Sequence, residues 1–209
     1  ASENGFPDVE SASEEILLIT IQDYATKQIR TWGLGPFNNK QDNVIYRSFS
    51  TEYDLLNDFI NWWMIEENTP EVVTGWNIEL YDIPYLVRRL DRVLGEKLMK
   101  RMSPWGLVTE SEIYISGRKH TSYDVGGITQ LDYLNLYKKF TYKAQESYRL
   151  DYIAEVELGQ KKLDQKCPFS NRASPILYLN LNPVICNYYK NESRDTDHYR
   201  KTAHDQWAD

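Results

Sequence analysis

Cysteine is scarce: Cys167 and Cys186 are the only two in 209 residues. Two cysteines build neither a disulfide framework nor a zinc site, and they point to a reducing compartment. Positive charge is also short. Lys and Arg number 24 against 31 Asp and Glu, a formal net charge of −7. A freestanding protein that grips nucleic acid by electrostatics alone needs a basic face, so that class is disfavoured. An acidic metal site, or a module inside a larger machine, remains open. No apolar run approaches the ~18–20 residues that would cross a membrane, so no membrane partner is expected. The opening stretch Ala1–Glu15 is polar and acidic, which excludes a signal peptide. It lacks Met, as expected of a fragment. What is present is core material: 41% hydrophobic residues, with six Trp and sixteen Tyr, in a chain the size of one domain or of one domain and a tail.

The hydrophobic period changes along the chain. Ile16–Ile21 reads as a buried strand, Gln28–Trp32 as a half-buried partner, and Val44–Phe49 as a third strand, which together predict an antiparallel meander over residues 16–49. Thr51 is an expected helix N-cap with Asp54 three residues on. Leu55, Leu56, Phe59, Ile60, Trp62 and Trp63 then follow helical spacing over residues 52–66. A short strand is expected at 72–76 and a helix with Pro84 in its first turn after it. Residues 107–126 read as a β-hairpin with Gly117, Arg118 and Lys119 at its tip. Leu131–Phe140 starts as a strand and runs into a helix, and another helix ends near Gly159. This mixture predicts an α/β fold, a mixed sheet with flanking helices and an extra hairpin. After about residue 165 the character changes. The stretch 166–209 holds both cysteines, two of three histidines and three of eight prolines, and it stays unassigned apart from the apolar run Ile176–Leu179 between Pro175 and Pro183.

The informative stretch runs from Thr74 to Leu86: Thr-Gly-Trp-Asn-Ile-Glu-Leu-Tyr-Asp-Ile-Pro-Tyr-Leu. A carboxylate where a strand gives way to a helix is a frequent ligand for hard cations. On local grounds alone, Asp82 before Pro84 reads as a helix N-cap. Tyr81 reads equally as a core aromatic, and Asn77 also reads as a bridge between backbone groups of the loop. At the hairpin, Arg118, Lys119 and His120 read either as a solvated tip or as contacts to phosphate or bases.

Asn-x3-Tyr-Asp, preceded by Thr-Gly-Trp and followed by Ile-Pro-Tyr, resembles the second exonuclease motif of family B DNA polymerases, above all those of tailed myophages. Leu94–Glu96, Met99–Pro104, Leu131–Phe140 and Ser147–Glu155 continue the likeness in order and at family spacing. So do Leu158-Gly159, Lys162-Leu163 and, near the start, Gly5-Phe6-Pro7. The likeness covers about residues 1–165. It implies a ribonuclease-H-like exonuclease fold and proofreading removal of mispaired nucleotides from a primer 3′ end. It also implies single-stranded or frayed primer–template DNA and the remainder of the polymerase chain as partners, in the cytoplasm of a bacterial host. Such exonucleases use two Mg²⁺ or Mn²⁺ ions held by four carboxylates. The resemblance makes Asp82 one of those carboxylates, expected at the strand-end side of the sheet and exposed to a cleft, and places Asn77 and Tyr81 beside the bound strand. It gives the hairpin, with Arg118 and Lys119, a part in separating primer from template.

The sequence departs from this pattern in two places. The first motif, Asp-x-Glu on an opening strand, falls upstream of Ala1 by family spacing, so the opening strand is expected to be missing. Asp8-Val9-Glu10 has the spacing but lies outside any apolar run and reads as a solvated loop. The third motif is Tyr-x3-Asp on a helix, and none of the sixteen tyrosines is followed by Asp at that distance. His204 and Asp209 share the spacing of another exonuclease branch, in a polar terminus where chance is the better reading. The expectation is therefore an exonuclease domain that is catalytically incomplete in this chain. The alternatives are a non-catalytic nucleic-acid-binding module derived from such a domain and, more weakly, a ribonuclease-H-like nuclease of unrelated role.

Overall fold

The computed structural model describes residues 7–38, 41–115 and 117–160, and the backbone of 176–180. Gly5 and Phe6, Lys162 and Leu163, and His204 with Asp209 lie outside the described residues. The described residues divide into two compact units, one of 7–148 with 176–180 and the other of 149–160.

The larger unit opens with β1 (Leu18–Gln22), β2 (Ile29–Leu34) and β3 (Val44–Phe49). β1 and β2 pair antiparallel from Leu18 opposite Gly33 to Gln22 opposite Ile29, with the Thr20 and Thr31 hydroxyls 3.1 Å apart across the pair. The meander breaks at the next step, because β3 runs parallel to β2, Ile29 opposite Val44 through Leu34 opposite Phe49. The residues after β2 make this possible. Phe37 packs on Tyr46 with ring centroids 5.4 Å apart, and the Tyr46 hydroxyl donates to the Gly35 carbonyl at 2.8 Å. β3 thus starts beside the start of β2, as no tight hairpin would allow. Gly33 is required there, since a Cβ at that position would stand 2.2 Å from the Tyr46 hydroxyl.

Helix α1 (Glu52–Trp63) begins as its capping residues dictate: Thr51 Oγ1 accepts from the Asp54 N–H at 3.2 Å and donates to the Asp54 carboxylate at 2.7 Å. Its apolar stripe lies on β2, where fully buried Trp32 meets Phe59 edge-on at 5.3 Å and Trp62 at 5.0 Å. The Trp32 indole N–H donates to Asp58 at 2.8 Å, so the one polar atom of that ring is satisfied. β4 (Val72–Gly75) and β7 (Thr129–Asp132) pair parallel, from Val72 opposite Thr129 to Gly75 opposite Asp132.

The six-stranded mixed sheet has the order β3-β2-β1-β8-β4-β7. β8 is Ile176–Asn180, the apolar run that the sequence left unassigned. It fills the place between β1 and β4, parallel to β1 over five residues and joined antiparallel to β4 only where Thr74 faces Asn180. The six strands are therefore continuous, although an opening strand is expected to be missing.

Helix α2 (Asp82–Leu94) leads through α3 (Glu96–Met99) and a short 3-10 turn to the hairpin β5 (Val108–Ile115) and β6 (Arg118–Val125). The hairpin register ends at Ile115 opposite Arg118, and Gly117, just before the return strand, takes a left-handed φ of 76° that suits glycine. Arg118 and Lys119 therefore open the return strand, and only Gly117 of the three expected tip residues lies before it. Helix α4 (Tyr133–Phe140) follows β7 directly. The smaller unit is helix α5 (Leu150–Leu158), which ends at Gly159 with a left-handed φ of 63°.

Arginines on α2 fix the segment before β1. Arg89 makes a buried fork with Glu52, Nε to Oε1 at 2.8 Å and Nη2 to Oε2, while Glu52 Oε1 also accepts the Ile16 N–H at 2.8 Å. The remaining guanidinium nitrogens go to backbone. Arg89 Nη1 reaches the carbonyls of Ala12 at 3.0 Å and Ser13 at 3.3 Å, and Arg92 reaches those of Ala12 at 2.8 Å and Ser11 at 2.6 Å. Asp8 and Glu10 lie in an exposed turn, as expected, but Glu10 also holds a neighbour. Its carboxylate accepts from the Thr121 hydroxyl at 2.6 Å and from Arg88 at 2.9 Å, which ties it to β6.

Candidate functional site

β4 leaves the sheet at Gly75, and the chain reaches α2 through Trp76–Tyr81. Asn77 takes a left-handed φ of 64°. Its carbonyl accepts the Tyr81 N–H at 3.1 Å, and the carbonyl of Ile78 accepts the Ile83 N–H at 3.0 Å. Ile78 is fully buried, so the loop is drawn down into the core at its middle. Trp76 is set at its start, with ring centroids 6.1 Å from Tyr133 and 5.8 Å from Tyr137, and its indole N–H donates to the Tyr148 carbonyl at 3.2 Å.

The structure thus brings Asn77, Tyr81 and Asp82 together in one strand-to-helix connection at the C-terminal end of β4. Asp82 is the first residue of α2, and the N-cap position belongs to Tyr81, so the N-cap reading of Asp82 fails. The exposed position expected for Asp82 fails as well, because only 7% of its surface is accessible. The physical reason is local. Ile78 and Ile83 flank the connection and are both buried, which sinks the start of the helix below the surface. A carboxylate in a first helical turn still meets the positive end of the helix dipole.

Tyr81 lies half-buried with its ring 5.8 Å from that of Tyr85. Burial pushes its hydroxyl well above the ordinary phenol value, and Tyr85 and Asp82 act in the same direction. Burial likewise pushes Tyr85 up to about 12, and its hydroxyl donates to the Glu14 carbonyl at 2.8 Å. Both phenols therefore stay protonated at neutral pH, as donors.

Arg118 and Lys119 stand at the far end of the hairpin from Val125, roughly 20 Å along the strand at ~3.3 Å per residue. Lys119 is paired with Glu112 at 2.5 Å, and this hydrogen bond raises the ammonium pKa. An exposed pair of this kind is weak, and a phosphate would compete with Glu112 for it.

The donor set can be compared with the two-metal group that the resemblance implies. Two divalent ions sit ~3.5–4 Å apart in such sites and repel unless several carboxylates surround them. Among the described residues there is no group of three or more His, Cys, Asp or Glu that could hold a metal ion. Asp82 alone cannot hold two such ions.

One residue of this region escaped the sequence reading. Asp132, at the end of β7, is 7% exposed and bonds back to the Asn77–Glu79 loop. Its sequence signal is an Asp where a period-two strand meets a helical run, which marks an N-cap and nothing further.

Comparison with known proteins adds an independent line. The family described as DNA polymerase family B, exonuclease domain, matches residues 1–153. The DNA-directed DNA polymerase of Escherichia phage RB69 is 33% identical over 194 residues, covering 81% of this chain and 21% of that protein. The DNA-directed DNA polymerase of Enterobacteria phage T4 is 40% identical over 129 residues, 62% of this chain and 14% of that protein. The DNA polymerase catalytic subunit of human herpesvirus 6A is 30% identical over 172 residues, 77% and 16% respectively. The chain spans about a fifth or less of the length of these relatives.

Proposed function

The chain belongs to the exonuclease-domain family of the family B DNA polymerases, and on that basis we propose that it serves as the proofreading 3′–5′ exonuclease domain of a longer polymerase acting in DNA replication. The observation that carries this reading is the connection after β4. The family match spans it, and it gathers Asn77, Tyr81 and Asp82 where a strand ends and a helix begins. In this reading the fold is ribonuclease-H-like. Asp82 supplies one ligand to Mg²⁺ or Mn²⁺, and the family's Asp-x-Glu and Tyr-x3-Asp motifs supply the others. Asn77 and Tyr81 border the frayed primer strand, with the neutral Tyr81 hydroxyl as a donor. Arg118 and Lys119 meet the nucleic acid at the hairpin end. No helix among the described residues is long and apolar enough to cross a membrane, and the cytoplasm of a bacterial host is the proposed compartment.

The test is a protein that carries this chain behind a segment bearing Asp-x-Glu and ahead of one bearing Tyr-x3-Asp. With Mg²⁺ and a 5′-labelled primer mispaired at its 3′ end, the expected products shorten one nucleotide at a time from that end. Internal cuts, or no metal-dependent shortening, would refute the reading. A second measurement uses the chain as it is. Calorimetric titration with Mn²⁺ is expected to show only weak binding, because one buried carboxylate cannot offset the dehydration of a divalent ion. A tight two-site isotherm would mean that Asp8, Glu10 or residues outside those described complete the set.

A further inference from the structure

We propose that Asp132 is a positioning residue for the Asn77–Asp82 loop, holding that loop in its working shape from the neighbouring strand. The inference rests on the exonuclease reading of the loop given above. Asp132 closes β7 directly opposite Gly75, the last residue of β4. Its carboxylate is therefore at the point where the loop leaves the sheet. Oδ1 accepts the Asn77 N–H at 3.0 Å and Oδ2 accepts the Glu79 N–H at 3.1 Å. Oδ1 also accepts the Leu134 N–H at 2.9 Å, which caps α4. One buried carboxylate thus serves three backbone donors, two of them on either side of fully buried Ile78.

The arrangement explains the backbone of the loop. Asn77 is not glycine, yet it holds a left-handed φ of 64°. Such a conformation persists where its surroundings over-determine it. The fixed N–H on Asn77 is one constraint, and the Tyr81 N–H returning to the Asn77 carbonyl is another. Charge-assisted hydrogen bonds are the stronger kind and set direction as well as distance. α4 reinforces the same loop: the Asn135 amide donates to the Glu79 carboxylate at 2.9 Å, and Tyr133 and Tyr137 pack on Trp76. The loop in turn sets where Tyr81 and Asp82 begin α2. A capping role alone would require the Leu134 bond only. The bonds to Asn77 and Glu79 span 55 and 53 residues and serve the loop instead.

Two substitutions separate the roles. Asp132→Ser keeps a side chain that caps helices as well as Asp does, but it has one oxygen where the carboxylate has two. Asp132→Asn keeps the shape and turns an amide N–H2 toward one of the backbone donors. In this chain, amide hydrogen exchange measured by NMR is expected to rise at least tenfold at Asn77 and Glu79 in both variants, with β1–β3 amides unchanged. In the assembled exonuclease, single-turnover excision is expected to fall on the order of tenfold to a hundredfold, with primer affinity unchanged. Wild-type exchange at Asn77 and Glu79, or excision within twofold of wild type, would overturn the proposal. A fall in excision matched by an equal loss of primer affinity and a global rise in exchange would also overturn it, since that marks a structural role only. If the unsubstituted protein excises nothing, the exonuclease reading has failed, and the exchange at Asn77 and Glu79 decides whether Asp132 holds the loop.

Discussion

Asp82→Ala in the assembled exonuclease is expected to lower single-turnover excision of a mispaired primer by on the order of a thousandfold or more. The proposed role leaves little room for compensation. The Glu79 carboxylate, nearby in the loop, is already engaged by the Asn135 amide at 2.9 Å, and no other acidic residue lies between Gly75 and Asp82. Tyr81→Ala is expected to cost only about tenfold, because a residue that orients the strand contributes through geometry. The assay uses enzyme in excess, so that product release does not mask the chemical step. If Asp82→Ala keeps nearly the full rate, the residue is simply the first acidic group of α2. Its removal would then show as a loss of helix stability, up to about 2 kcal/mol for a buried group.

The largest loss of stability is expected at Glu52 and Arg89. Their side chains are 5% and 6% exposed, and each is fully committed: Glu52 to Arg89 and the Ile16 N–H, Arg89 to Glu52 and the carbonyls of Ala12 and Ser13. Arg89→Ala leaves a buried carboxylate without its cation, and Glu52→Ala leaves a buried guanidinium without its anion. Each is expected to cost about 3–5 kcal/mol, a large share of the ~5–15 kcal/mol that typically holds a domain together. Urea unfolding followed by the buried tryptophans reads this directly as a shift in midpoint at unchanged slope. The double substitution to Leu and Met is expected to recover part of the loss, since a buried ion pair is often replaceable by apolar groups. It cannot recover all of it, because the Ile16 N–H and the Ser13 carbonyl lose these partners, while the Ala12 carbonyl keeps Arg92. Full additivity of the two single losses would show that the pair is not coupled.

Local chemistry made much of the fold legible. Thr51 with Asp54 marked the start of α1, the change from alternation to helical spacing marked its apolar face, and Gly159 marked the end of α5. These signals act within a few residues, so a sequence carries them openly. Strand direction is different. The parallel course of β3 beside β2 goes with contacts between segments, Phe37 on Tyr46 and the Tyr46 ring against Gly33. Such contacts leave no periodic trace. The same holds for Ile176–Asn180, readable as an apolar run but not as a strand between β1 and β4. At the candidate site, the grouping of Asn77, Tyr81 and Asp82 followed from their adjacency in the chain. The burial of Asp82 did not, because it follows from how deep Ile78 and Ile83 sink into the core; the second duty of Asp132 did not, because Asn77 and Glu79 lie 55 and 53 residues away.

The arginine clasp on residues 11–13 affects how this segment can drift over generations. Arg89 and Arg92 hold carbonyl oxygens, which every amino acid possesses. Ser11 and Ser13, whose surfaces are exposed, are thus free to be exchanged for many other residues while the segment stays in place. Ala12 is not, being fully buried with a left-handed φ of 39°. The two arginines are bound in a different way, since lysine cannot reproduce a planar fork that spans two carbonyls. Mutational tolerance here should therefore be inverted from the usual order, with the irregular surface stretch permissive and the charged helix face that grips it fixed.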